Sequence, residues 1–184
     1  MSLHYVRLRL GEKARFKCLR CGKCCGNGPN VGLTAFDILR IARFLNVDWR
    51  ELKGRYIVAV IADMVAIPSL RGKINGECIF LEHVNGKPSC SIYPARPMRC
   101  RLYPFMPYSP SDIETIYLDT CCSGINTEKE VDPPWDCLRE YCLEIKLHYD
   151  RLYSLTFQEG CDPLEALEKT IEEYAKRNVQ TSSM

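Results

Sequence analysis

Apolar residues along this chain follow two periods, and the switches between them mark its elements. In AFDILRIARFLNV (35–47), Phe36, Leu39, Ile41 and Leu45 keep roughly helical spacing. Thr34, with Asp37 three residues on, gives that helix a capping-box start. Asp48 and Glu51 repeat the signal for a second, shorter helix near WRELKGRYI (49–57). The run IVAVIADMVAIP (57–68) is apolar, β-branched and bounded by Pro68, which predicts a buried strand or strand pair. In CIFLEHVNGKPSCSIY (78–93), Asn85-Gly86 between apolar-rich arms predicts a hairpin. The proline-dense YPARPMRCRLYPFMPYSP (93–110) reads as an irregular, turn-rich surface loop, and IETIYLD (113–119) as a strand. A long amphipathic helix follows in PPWDCLREYCLEIKLHYDRLYSLTF (133–157). Trp135, Leu138, Cys142, Ile145, Tyr149 and Leu152 form its apolar stripe. Asp162-Pro163 with Glu165 starts a last helix to about Lys176, and the tail RNVQTSSM is expected to fray.

These elements predict an α+β fold. It is a single domain over 1–184, with a cysteine-rich, metal-organised part at about 16–126 and C-terminal helices at about 134–177. With 46% hydrophobic and 26% charged residues the composition is that of a soluble globular protein. A net charge of +2 argues against bulk binding to nucleic acid or to an anionic membrane. The start, MSLHYVRLRLGEKARFK, alternates apolar and basic residues and lacks the apolar run of a signal peptide. No stretch reaches the ~18–20 apolar residues of a membrane span. The expected location is cytoplasmic.

Twelve cysteines change the picture. A reducing compartment disfavours a disulfide framework, and clustered thiols there bind metal or do redox chemistry. Cys18, Cys21, Cys24 and Cys25 form C-x2-C-x2-C-C. Two residues between thiolates let a tight turn aim both sulfurs at one point, which is the usual zinc half-site. A cubane iron–sulfur cluster takes three thiolates from such a run and one from afar. The run lacks the Cys-Pro that ferredoxins place three residues later; instead Gly26, Gly28 and Pro29 turn the chain. Adjacent side chains are expected to diverge. Cys25 should then face a second site or support the first, and a bond between neighbours is strained. Cys78, Cys90, Cys100 and the Cys121-Cys122 pair are the distant donors.

A two-residue Asn85-Gly86 loop pairs Leu81 with Cys90 and sets Cys78 and Cys90 on opposite faces. They share a pocket only if the loop is longer or if Cys78 precedes the paired strand. Lys17, Arg20, Lys23, Arg96, Arg99 and Arg101 flank these cysteines and would offset the ~−2 charge of each four-thiolate site. The rival use of those cations is a nucleic-acid patch in which Tyr93, Tyr103 and Phe105 stack on bases.

The motifs CLRCGKCC, CIFL, CSIYPARPMRCRLYPF and CCSGI together resemble the CxxCxxCC cysteine-cluster family, the YkgJ-like zinc- or iron-chelating domain, over roughly residues 16–126. The resemblance implies eight metal-binding cysteines: Cys18, Cys21, Cys24, Cys25, Cys78, Cys90, Cys100 and one of Cys121 or Cys122, with Cys122 favoured. The doubled cysteine departs from the family pattern, which has one at that place. A similar domain occurs in a flagellin lysine methylase, which implies protein modification as a setting.

Each candidate has a plainer reading. The first three cysteines could be surface thiols, Cys25 a buried thiol supporting the site, and Cys78 and Cys90 small hydrophobes of a strand core. Cys142 lies on the helix stripe and reads as core; His4, His83 and His148 have no ligand spacing. No dinucleotide, P-loop, HExxH or nucleophile-elbow motif is present. The leading expectation is an iron–sulfur protein of the [4Fe-4S] type acting in electron transfer or metal handling, or as a partner in protein modification. Its partner is expected to be a protein. The alternatives are a zinc-stabilised interaction module without redox role and an enzyme component such as a protein methylase.

Overall fold

A computed structural model describes residues 4–26 and 31–181. Gly28 and Pro29, expected to turn the chain, lie outside the described residues. Among the described residues, nine strands and five α-helices form four small antiparallel sheets with helices packed against them. In chain order these are β1 (Tyr5–Arg9), β2 (Ala14–Phe16), α1 (Lys23–Gly26), α2 (Ala35–Leu45), β3 (Ile57–Ala62), β4 (Val65–Leu70), β5 (Leu81–Val84), β6 (Lys87–Cys90), α3 (Met98–Leu102), β7 (Phe105–Ser109), β8 (Asp112–Asp119), β9 (Ile125–Val131), α4 (Trp135–Tyr153) and α5 (Pro163–Thr181). The sheets are β1-β8-β7, β2-β9, β3-β4 and β5-β6.

The apolar pattern resolves into two cores. In the first, Ile38 and Ile41 of α2, Ala66 and Leu70 of β4, Phe80 and Ile171 of α5 come together. In the second, Met98 and Leu102 of α3 meet Phe105, Ile116, Leu118 and Leu138. Helix α4 joins them, with Leu138 and Tyr141 in the second core and Leu152 in the first.

Local chemistry starts the helices as the sequence predicts. Thr34 Oγ1 accepts from the Asp37 N–H at 3.2 Å, and Thr34 N–H donates to Asp37 Oδ2 at 3.1 Å. Asp48 and Glu51 make the same reciprocal cap on a short 3-10 turn, Trp49–Leu52. Asp162 Oδ1 accepts from Leu164 N–H at 2.9 Å at the start of α5. That helix runs to Thr181, five residues beyond the expected end near Lys176.

Three other expectations need correction. The strand pair at 57–68 exists, but it runs on to Leu70 and only β4 is buried; β3 is exposed from Val58 to Ala62. Pro68 does not end β4: it faces Ala59, and its carbonyl accepts from Leu33 N–H at 2.8 Å on the far edge. The proline-rich segment is not an irregular surface loop. It forms α3 and β7, joined across a cis Tyr103–Pro104 peptide, with Met98, Leu102 and Phe105 buried. Proline sits where its missing N–H costs nothing, at the start of helical turns and on a sheet edge. The α4 stripe is also rotated: Tyr141, Glu144 and His148 are buried, whereas Trp135, Ile145 and Tyr149 are half-buried.

Candidate metal centre

The eight candidate thiols come from several separate segments, and packing draws those segments to a seam beside both cores. Cys25 and Cys90 pack against the first core, and Cys78 belongs to it. Cys100 rides on α3, whose Met98 and Leu102 anchor in the second core. Cys122 sits in the turn between β8 and β9, where its own N–H donates to Asp119 O and its carbonyl accepts from Ile125 N–H at 3.1 Å. Cys18 and Cys21 follow β2 in an exposed loop.

Two glycines let that loop approach its neighbours. Gly22 has φ +74°, and a Cβ there would stand 2.6 Å from Pro88 Cβ of the β5-β6 hairpin. A Cβ on Gly124 would stand 2.2 Å from Lys17 O, so only glycine lets β9 close on the strand before Cys18. Lys23 Nζ adds a bond to Ser123 Oγ at 2.9 Å. Cys78 is drawn in by its N–H, which donates to Cys25 O at 2.8 Å.

The hairpin turn has two residues, with Val84 opposite Lys87, Leu81 opposite Cys90, and Asn85 and Gly86 at positive φ. Cys78 precedes β5 and escapes its face alternation, and both Cys78 and Cys90 pack on the first core.

Charge coupling maps the rest of the seam. Burial pushes the thiols of Cys78, Cys90 and Cys100 up. The charge of Cys24 adds to the rise at all three, and Cys25 and Cys100 both also feel Cys78. Cys122 is raised by burial and by the charges of Cys18, Cys21 and Cys24. Cys24 is the one thiol among these that is pushed down. Its pKa falls to about 6, first through the hydrogen bond with Cys25, with a lesser contribution from Arg96, against the cost of burial. The same bond, followed by burial, pushes Cys25 up. Cys121 stands apart: it is exposed, its N–H donates to Asp119 Oδ1 at 2.9 Å, and the neighbouring charge that raises it is Asp119.

The expected divergence of Cys24 and Cys25 does not occur. Their sulfurs are 3.8 Å apart. Both lie on the single turn of α1, where successive side chains are separated by ~100° rather than the half-turn of a strand. Two thiolates on one tetrahedral ion at ~2.3 Å stand about 3.8 Å apart. Among the described residues no group of three or more histidine, cysteine, aspartate or glutamate side chains stands close enough together to hold a metal ion.

The surroundings suit an anionic thiolate-metal group. Arg96 lies over the Tyr93 ring at 3.7 Å and Arg20 over the same ring at 5.0 Å. Tyr93 is thus engaged by cations, and Phe105 is buried edge-on against Phe16. Arg96 Nε is buried without a partner, and its charge lowers Cys24 and Cys90. An unspent N–H donor beside thiolates is the kind of contact that tunes a metal–sulfur group. An open cleft of about 830 Å³ adjoins Cys18, walled by Phe16, Lys17, Arg101, Thr127 and Lys129.

Asp37 is a supporting residue whose sequence signal was only its cap. Its Oδ1 also accepts from the Met98 N–H at 2.9 Å, capping the helix that carries Cys100. Arg40 joins Asp37 Oδ1 at 2.5 Å and grips both oxygens of Glu144. His148 is fully buried beside them, its Nδ1 accepting from Ala35 N–H at 3.2 Å. The remaining cysteines play other parts. Cys142 is buried core, as expected; Cys137 packs on the second core; and Cys161 lies 3.3 Å from Lys169 Nζ.

An α+β chain that gathers thiols from separate segments into one seam belongs to the class of cysteine-cluster metal-binding domains. The family model CxxCxxCC, described as "Putative zinc- or iron-chelating domain", matches residues 17–137, and the chain belongs to this family. It is 36% identical over 90 residues to an uncharacterised protein of Methanocaldococcus jannaschii, across 49% of this chain and 44% of that protein. The chain thus aligns with less than half the length of that relative. No solved structure matches. No helix among the described residues is long and apolar enough to cross a membrane.

Proposed function

We propose that this chain is an iron–sulfur protein whose cysteine seam holds [4Fe-4S]-type iron. It would serve electron transfer or metal handling, or assist protein modification beside a protein partner, in a reducing cytoplasmic compartment. The observation that carries the reading is the number of thiols around Cys24. The sulfurs of Cys24 and Cys25 lie 3.8 Å apart, Cys78 N–H bonds Cys25 O, Cys90 packs on the same core, and the charge of Cys24 reaches Cys100 and Cys122 as well. That is more than the four thiolates one zinc accepts, and it suits two four-thiolate centres or one polynuclear cluster. The buried thiols would hold the inner side and the exposed ones the outer side, with Arg96 and Arg20 balancing their charge. When bound, such a cluster supplies one-electron chemistry. Cys18, at the surface beside the basic cleft, would be the side presented to a partner.

One observation favours a second reading, a zinc-stabilised interaction module. The 3.8 Å separation of the Cys24 and Cys25 sulfurs fits a single tetrahedral ion held by both. Anaerobic purification with iron, zinc and acid-labile sulfide analysis decides between them. Iron with a matching amount of sulfide is the expected result. Colourless protein with stoichiometric zinc and no sulfide replaces the cluster by zinc.

A further inference from the structure

Strand β9 leaves its partner where it passes the metal seam. Arg15 pairs with Glu130 and Phe16 with Ile125, so residues 126–129 have no partner on β2. Both ends of this bulge are pinned. Arg15 Nε lies 3.7 Å from Glu130 Oε1, and Lys17 N–H donates to Gly124 O at 3.0 Å. Asn126 turns the chain out with φ +60°. A bulge held in this way re-aims side chains, and bulges gather next to functional sites.

This bulge supplies part of the wall of the open cleft of about 830 Å³ beside Cys18. The volume is that of a small-molecule site. Its lining has two characters. Phe16, Leu102 and Phe105 give it an apolar surface continuous with the second core. Lys17, Arg101 and Lys129 line it as exposed cations, against one carboxylate, Asp132. Among the described residues none of these cations makes an ion pair, and Arg101 gives one N–H to Pro94 O at 3.0 Å.

Thr127, on the bulge, adds a hydroxyl. Its Oγ1 is buried without a hydrogen-bond partner. A polar atom buried so is costly unless something bonds it, and an oxygen of a bound anion would accept its hydrogen. An inorganic anion would use only the cations and the hydroxyl, and a neutral arene only the apolar surface. A molecule that joins the two characters uses the whole cleft.

We propose that this cleft binds a small organic anion. An apolar, ring-sized body lies against Phe16 and Leu102, and a phosphate or carboxylate head is held by Lys17, Lys129 and the Thr127 hydroxyl. Charge-assisted bonds to the head supply orientation, and burial of the body supplies affinity. On the reading of the seam as a metal centre, the ligand lies next to that centre; its binding depends on the cleft and not on which metal the seam holds.

Isothermal titration calorimetry of the full chain in reductant tests this, with phenyl phosphate, 3-phenylpropionate, inorganic phosphate and benzyl alcohol as probes and metal content measured in each sample. One of the two aryl anions should bind saturably at a single site, about tenfold or more tighter than inorganic phosphate and benzyl alcohol. The tighter aryl anion identifies the head group. Lys129→Glu should weaken it about tenfold, with circular dichroism and metal content unchanged. Thr127→Val keeps the shape, removes the hydroxyl and should weaken it several-fold without lowering Tm. The proposal is overturned if neither aryl anion saturates, if inorganic phosphate or benzyl alcohol binds as tightly, or if both variants bind like wild type. Metal analysis reads the other question separately. Zinc in the seam removes the cluster without touching the cleft, and iron-loaded protein that ignores both aryl anions removes the cleft alone.

Discussion

Cys78 and Cys21 belong to one seam but are held in opposite ways. Cys78 is buried in the first core, with its N–H bonded to Cys25 O, and Cys90 and Cys100 are fixed by a hairpin and by a capped helix. Cys18 and Cys21 are exposed on a loop and Cys24 on the single turn of α1 that follows, held by two glycine contacts and the Lys23–Ser123 bond. The buried half is arranged by hydrophobic packing that exists without metal. The exposed half has little apolar surface to bury, so its order depends on the ligand. Metal binding in such a seam draws the loop onto a prepared floor, and part of the binding free energy is folding free energy.

Four measurements probe how the two halves of the seam are held. The largest effect is expected from Cys21→Ser, which should lose metal and lower Tm by roughly 10 °C or more, as metal loss removes its folding contribution. An unchanged melting temperature in the metal-free variant would mean that the exposed half is ordered without metal.

Asp37→Ala acts from the other side. It unpairs Arg40 from one partner and leaves the Met98 N–H at the Cys100 helix without an acceptor. Breaking a buried charged network in this way costs about 3–5 kcal/mol, measured by urea denaturation. If metal stoichiometry survives at a lower stability, Asp37 holds the core more than the site.

His148 gives a pH dependence. Burial lowers its pKa from 6.5 to about 4. Between those values the unfolded chain binds a proton that the folded chain refuses, so stability is complete above about pH 6.5 and declines as pH falls toward 4. The difference amounts to up to about 3 kcal/mol for a fully buried imidazole. Acid also displaces metal from thiolates, so the expected signature is the difference between wild type and His148→Gln, whose stability should lack that slope. Parallel curves would show that the imidazole accepts its proton inside the fold.

Gly124→Ala should give the smallest change, about 2 kcal/mol, as β9 moves off Lys17 to admit a methyl group. It should loosen Cys18 and Cys122 and spare Cys78, visible as faster alkylation of the first two alone. Equal acceleration at Cys78 would erase the distinction between the halves.

Much of the local structure was legible because it depends on neighbours in the chain. The caps at Thr34, Asp48 and Asp162 and the Asn85-Gly86 turn each need only a few consecutive residues. The misread segments depended on distant ones. Prolines in 93–110 signalled a loop, but Met98, Leu102 and Phe105 found a core to bury in. Strand β3 looked buried because it is apolar, whereas the packing chose β4 and left β3 outside. Adjacent cysteines were expected to diverge, as they would in a strand; a single helical turn brought their sulfurs together. Strand β9 gave no periodic signal in INTEKEV and forms because β2 is there to pair with it.

The sequence by itself determined the donor chemistry and the family: the number and type of thiols, their spacing and the basic residues between them are properties of covalent order. Tertiary structure alone settled which thiols are buried and which exposed, and put the Cys24 and Cys25 sulfurs 3.8 Å apart, because burial and hydrogen bonding act through space. It left Cys121 exposed and Cys122 half-buried, and gave Asp37 a second task at the Cys100 helix.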